Sequence, residues 1–118
     1  MVYYHGTNKD NKKNILKNGF IPSYGRFGVG VYFSSNLEEA KNFGSEVCKA
    51  IIPKESIKEI YYPTLISIYP DLAIDEEEGV PALREYILSL GYLAVAIEYV
   101  TGEVELSVYD TNIIEIEE

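Results

Sequence analysis

Cysteine and histidine are scarce in this chain: each occurs once among 118 residues, as Cys48 and His5. A lone cysteine cannot close an internal disulfide, so a reducing, cytoplasmic compartment is the expectation. Cys48 sits in the apolar run VCKAII and reads as a small core side chain rather than a functional thiol. Long apolar runs are missing too. None approaches the ~20 residues needed to span a bilayer, so no membrane partner is expected. The opening MVYYHGTNKD lacks the basic start and apolar core of a secretion signal. No repeat, low-complexity tract or linker divides the sequence, and its length suits one domain over residues 1–118.

Positive charge runs short in the second half. Residues 1–54 hold eight Lys/Arg against four Asp/Glu, whereas residues 55–118 hold two against fifteen, and the whole carries −9. That balance argues against broad nucleic-acid binding, which depends on neutralising phosphates. The basic first half retains room for one small anionic ligand. The acidic runs DEEEG and IEIEE read as solvated segments that keep the chain soluble.

What is present is a mixture of helical and strand patterns. VYYH reads as a first strand. NKDNKKNILKNGF is helical, with Ile15 and Leu16 on one face and Gly19 placed as its cap. IPSYGRFG is a loop, and VGVYFSS a strand. Ser35 or Asn36 caps the next helix, NLEEAKNFG, with Glu38 and Glu39 in its first turn. EVCKAII and IKEIYY read as strands. VPALREYILSLG is the clearest helix, with Pro81 near its start and Gly91 after its end. YLAVAIEYV, EVELSVYD and NIIEIE follow as strands, with a turn at Thr101-Gly102. The order does not repeat as βαβ units, so the expected class is α+β with mostly antiparallel strands.

Three positions invite a chemical reading. His5 ends the first strand and precedes Gly6 and Thr7. Tyr32 follows the paired glycines of FGVGVYFSS, which open the backbone directly in front of aromatic rings. Glu105 shares one strand face with Glu103 and Ser107 by alternation. Taken singly, each favours a plainer reading: His5 as a surface or core residue, Tyr32 as core packing and Glu105 as a solvated strand face.

Together, HGT, FGVGVYFS and ELSVYD resemble, in order, the three signature segments of the ADP-ribosyltransferase superfamily. The likeness is to its His-Tyr-Glu branch, typified by poly(ADP-ribose) polymerases and diphtheria toxin. FGVGVYF meets the form Phe-Gly-x-Gly-aliphatic-Tyr-Phe, and ELSVYD meets Glu-x-x-Val-Tyr-Asp. Phe43 occupies the place of a further family aromatic eleven residues after the tyrosine. The final portion, from LGYLAVAIEY to ELSVYDTNIIEI, also resembles small domains of this type in phage and mobile-element proteins. The resemblance implies an ADP-ribosyltransferase-like fold, a mostly antiparallel split β-sandwich with a few flanking helices.

It further implies that the chain uses NAD+ as substrate, breaks the bond to nicotinamide and passes ADP-ribose to a macromolecular acceptor, a protein by preference, with no metal. On that reading Tyr32 and Phe43 face the cationic nicotinamide ring, and Gly6 offers its backbone to the carboxamide. His5 and Thr7 hold the adenosine ribose. Ser34 belongs to the ligand-contacting set, and the glycines Gly28 and Gly30 let the ligand approach. Arg26 is the nearest cation for the pyrophosphate, with a surface arginine as the rival reading. Glu105 stabilises the oxocarbenium-like ribose, and His5, Tyr32 and Glu105 form the catalytic set. A phage or bacterial effector, such as a toxin or CRISPR inhibitor, fits the size.

Departures from the family pattern are Ala40, where poly-forming enzymes have a serine, and Val29, where a lysine is common. The chain also lacks the extra elements of the large polymerases, so single transfer is expected over chain elongation. Glu103 gives a faint Glu-x-Glu echo of arginine-directed enzymes. The alternatives are a non-catalytic NAD+-binding or acidic decoy module, and NAD+ hydrolysis with water as acceptor.

Overall fold

The computed structural model describes residues 1–70 and 81–117; the acidic run DEEEG lies outside them. The elements in chain order are β1 (Val2–Thr7), α1 (Lys9–Asn18), β2 (Val31–Ser34) and α2 (Leu37–Ala40), which runs into a 3-10 turn over Lys41–Phe43. Then come β3 (Glu46–Ile51), a 3-10 turn at Lys54–Ser56, β4 (Ile57–Tyr61) and α3 (Tyr62–Ile68). After these come α4 (Pro81–Ser89), β5 (Ala94–Glu98), β6 (Val104–Val108), a 3-10 turn at Thr111–Ile113 and β7 (Glu115–Glu117).

The strands form one sheet in the order β4-β5-β6-β2-β1-β3-β7. Every pairing is antiparallel except β4 with β5, so the α+β, mostly antiparallel expectation is met. The parallel pair needs a long connection, and the chain supplies it between Tyr61 and Ala94, including α3 and α4. β1 and β3 pair along six residues, yet β1 and β2 share only the pair Tyr4↔Ser34. The sheet is thus narrowly joined at its centre.

Alternation gives the sheet two apolar faces. On one, Tyr3, Phe33, Cys48, Ala50, Ala96, Leu106 and Val108 pack with Ile15 of α1 and Phe20. On the other, Val95 and Ile97 meet Leu65 of α3, Leu83 and Ile87 of α4, and Phe27. Cys48 is buried, as its apolar setting requires. Among the described residues no helix is long and apolar enough to cross a membrane.

Local signals account for most helix ends. Asn8 accepts from the Asn11 N–H, and Asn36 from the N–H groups of Glu38 and Glu39. Asn36, not Ser35, is the cap of α2; the Ser35 hydroxyl takes the Val104 N–H instead. Gly19 has φ +85°, but its ψ of 178° is not that of a left-handed helical cap. Ile15 is buried and Leu16 is exposed, because adjacent helical positions point about 100° apart. The second predicted helix is shorter and tighter than its sequence pattern, and α3 was not foreseen at all. Its Tyr-Pro-Thr-Leu-Ile-Ser-Ile run is rich in β-branched residues, and the proline near its start is the one helix signal it carries.

Candidate functional site

Strand register sets one row of side chains across the sheet. Tyr4 lies opposite Ser34, Ser34 opposite Glu105, and Glu105 opposite Ile97, so all four share a face. Tyr32, two residues before Ser34, lies opposite Ser107 on that same face. Helices α3 and α4 cover its β5 end, while α2 and the 3-10 turn pack over β1. Between the two covers opens a cleft of about 580 Å³. Gly6, Arg26, Tyr32, Ser34, Phe43 and Glu105 line it, and so does His5. Residues 5, 32, 43 and 105, scattered along the chain, therefore meet at one cavity.

Tyr32 is held at both ends. Its backbone carbonyl accepts from Nδ1 of His5 at 2.6 Å, and its hydroxyl donates to the Gly28 carbonyl at 2.6 Å while accepting from the Phe27 N–H at 3.0 Å. Burial raises the phenol's pKa, so the group remains a donor. Gly25 backs the outer half of the ring: a Cβ there would come within 2.4 Å of Cζ. Phe43, by contrast, is 70% exposed on the far wall.

His5 departs from the simple picture. It belongs to the opposite sheet face, where its ring meets Phe20 and Phe33 edge-on at 5.2 and 5.7 Å. It reaches the main cleft through the narrow seam beside Tyr32, and it also lines a second hollow of about 260 Å³. Thr7 is buried and lines only that second hollow, with Asn11 and Asn14 of α1. Strand alternation keeps Thr7 on the face of His5, and both line that second hollow; Thr7 is thereby set apart from Phe43 and Glu105, which line the main cleft.

The glycines also need correcting. Neither Gly28 nor Gly30 lines the cleft. Gly28 takes φ +98°, a conformation that disfavours side chains, and Arg84 of α4 lies against it. A Cβ on Gly30 would sit 2.6 Å from Ser107 Oγ, so β6 excludes any larger residue. Their work is turn geometry and close strand packing. Gly6 does line the cleft, but it has a structural reason to be glycine as well, since a Cβ would fall 1.8 Å from the Ala40 carbonyl.

Glu105 is a partly buried carboxylate in the wall of the cleft. Burial pushes its carboxyl above the ordinary carboxylate range; a hydrogen bond from Tyr99 and the charge of Arg26 pull it back, and Glu39 opposes them. The Tyr99 hydroxyl donates to Glu105 Oε1 at 2.8 Å. Arg26 donates to the hydroxyls of Tyr62 at 3.0 Å and Tyr99 at 3.4 Å, and its guanidinium lies 5.5 Å over the Tyr62 ring. The arginine expected at a pyrophosphate is therefore built into the wall beside the glutamate.

No protein-family model and no curated sequence matches the chain. A solved structure does. The fold is similar to that in the crystal structure of an anti-CRISPR protein, with a TM-score of 0.50, 14% identity, and coverage of 99% of this chain and 93% of that one. At that identity the likeness concerns the backbone arrangement alone.

Several lining residues lay outside the expected site set, among them Tyr4, Gly25, Glu39, Tyr99 and Thr101. Tyr99 was hidden by a shift of register. A turn centred on Thr101-Gly102 would pair residue 99 with 104 and send its side chain to the other face; the loop instead spans residues 100–102 and pairs 99 with 103, which sets Tyr99 diagonally from Glu105 on one face. Glu39 was noted only for its place in a helix's first turn. Its position over the cleft depends on how α2 crosses β1, which no local pattern encodes.

Proposed function

We propose that the protein is an NAD+-dependent mono-ADP-ribosyltransferase with an ADP-ribosyltransferase-like split fold. The observation that carries this reading is the convergence of His5, Tyr32, Phe43 and Glu105 on one cleft, with Glu105 sunk into its wall. The single-pair junction between β1 and β2 fits the splayed sheet that such a fold implies.

In this reaction the bond between nicotinamide and ribose C1′ breaks and its electron pair leaves with the neutral nicotinamide. Positive charge develops on the ribose, and the Glu105 carboxylate stabilises it from a rigid strand. An acceptor nucleophile then bonds to C1′ and loses its proton to Glu105 or to water. Tyr32 and Phe43 offer aromatic surface to the cationic ring, worth ~0.5–2 kcal/mol per face. Beyond Tyr4 the β2-side edge of β1 has no registered partner, so backbone groups near Gly6 face the ligand.

Incubation with labelled NAD+ and a lysate tests the proposal. Label on a macromolecule that disappears in Glu105→Ala supports it; free ADP-ribose without labelled product marks hydrolysis; binding without turnover removes the enzyme reading. The anti-CRISPR neighbour supports a phage or bacterial effector context, so CRISPR effector complexes belong among the acceptors assayed.

One observation favours a second reading, the acidic decoy among the non-catalytic alternatives. Three glutamates (Glu39, Glu103 and Glu105) line the cleft against one arginine, a balance that attracts basic groups and opposes a pyrophosphate. Measured NAD+ affinity separates these, since a decoy has none.

A further inference from the structure

Glu105 can serve only if its carboxylate is ionised and fixed, and burial works against the first condition. The hairpin joining β5 and β6 supplies the remedy. The Tyr99 N–H donates to the Glu103 carbonyl at 2.8 Å, and the Gly102 N–H to the Tyr99 carbonyl at 2.9 Å, with Gly102 at φ +90°. This tight turn anchors Tyr99 on the same face as Glu105, one diagonal step away.

The hydroxyl has a single proton. Arg26 is purely a donor, and its Nη1 addresses the Tyr99 oxygen at 3.4 Å. The phenol must then send its proton the other way, to Glu105 Oε1 at 2.8 Å. Tyr62 holds the guanidinium from the opposite side at 3.0 Å, and its ring lies 4.8 Å from that of Tyr99. Burial keeps the Tyr99 phenol protonated far beyond neutral pH, so the donor is permanent.

We infer that Tyr99 is a positioning residue for Glu105: backed by Arg26 and Tyr62, it caps Oε1 and directs Oε2 to the reacting ligand. The inference rests on the transferase reading for its catalytic consequence, while the coupling of the two side chains stands on geometry alone. Among the described residues, the charged and titratable groups that line the cleft with Glu105 are Tyr99 and Glu103 from the β5–β6 hairpin, Arg26 from the loop before β2, Tyr32 from β2, Glu39 from α2, and Tyr4 and His5 from β1.

The test is a carbon-detected NMR titration of the Glu105 carboxyl in the ligand-free wild type, Tyr99→Phe and Tyr62→Phe. Tyr92→Phe is the control, since Tyr92 packs in the same core but does not line the cleft. Tyr99→Phe keeps the ring and removes only the hydroxyl. Its Glu105 midpoint should rise by about 1 pH unit, a tenfold change in proton affinity. Tyr62→Phe should shift it less, and Tyr92→Phe not at all. In turnover assays Tyr99→Phe should lower kcat about tenfold with KM for NAD+ within about twofold, and should move the acid limb of the pH profile upward. An unchanged midpoint in Tyr99→Phe, or an equal shift in Tyr92→Phe, overturns the inference, and so does a wild-type pH profile retained by Tyr99→Phe. Absence of NAD+ turnover in the wild type overturns the transferase reading instead, and the titration then judges the coupling by itself.

Discussion

The carbonyl of Ala40 sits so close to Gly6 that a Cβ on the glycine would fall 1.8 Å from the oxygen. Backbone meets backbone there, and neither partner has a flexible end to withdraw. Gly6→Ala is expected to cost ~1–3 kcal/mol or more through overpacking, and to lower the urea midpoint with an unchanged slope. A variant as stable as wild type would mean that α2 does not cross β1 in this way.

Glu105→Gln separates chemistry from folding. The substitution keeps the shape, removes the charge and should lower turnover by ~10²–10³. Stability at pH 7 should hold or rise, because a buried carboxylate is a cost to the fold. Parallel turnover and denaturation curves check both parts.

The pH dependence of stability follows from the same group. Its folded pKa lies above the ordinary 4.5, so between those two values the native state binds more protons than the unfolded chain. Stability from this group is therefore greatest below 4.5 and declines as pH rises through the folded value. Glu105→Gln should flatten that decline, and denaturation curves from pH 4 to 8 will show whether it does. On the proposed transferase reading, turnover should run the opposite way and rise as the carboxylate ionises.

Phe43→Ala tests the exposed ring. With 70% of the residue open to solvent, its loss should change stability by less than ~0.5 kcal/mol. NAD+ affinity should fall ~2- to 30-fold, the range for one cation–π face. Calorimetric titration with NAD+ measures it.

Tyr109→Phe addresses the core behind the cleft. The Tyr109 hydroxyl donates to the Phe27 carbonyl at 2.7 Å in a fully buried setting. Removing it strands that carbonyl and should cost ~1–3 kcal/mol by urea unfolding, loosening the loop that carries Arg26.

Much of the site was legible because its residues sit on strands. Alternation placed Glu103, Glu105 and Ser107 on one face, and β6 keeps that face toward Tyr32. Gly91 and Gly102 marked chain reversals and both take positive φ. What escaped was decided by contacts distant in sequence. The roles of Gly28 and Gly30 depend on Arg84 and Ser107, 56 and 77 positions downstream. The face occupied by Thr7 is fixed by parity with His5, yet only the seam lets His5 cross while Thr7 stays behind. Arg26 looked like a loop cation because its tyrosine partners at 62 and 99 come together only through the β4–β5 crossover.

The bond from His5 to the Tyr32 carbonyl bridges the sheet where the ladder is thinnest. A carbonyl oxygen only accepts, so Nδ1 is the donor. Together with the lone Tyr4↔Ser34 pair, this rivet pins one half-sheet to the other beside the cleft. A change at His5 therefore acts on the width of the cavity and not on its lining alone.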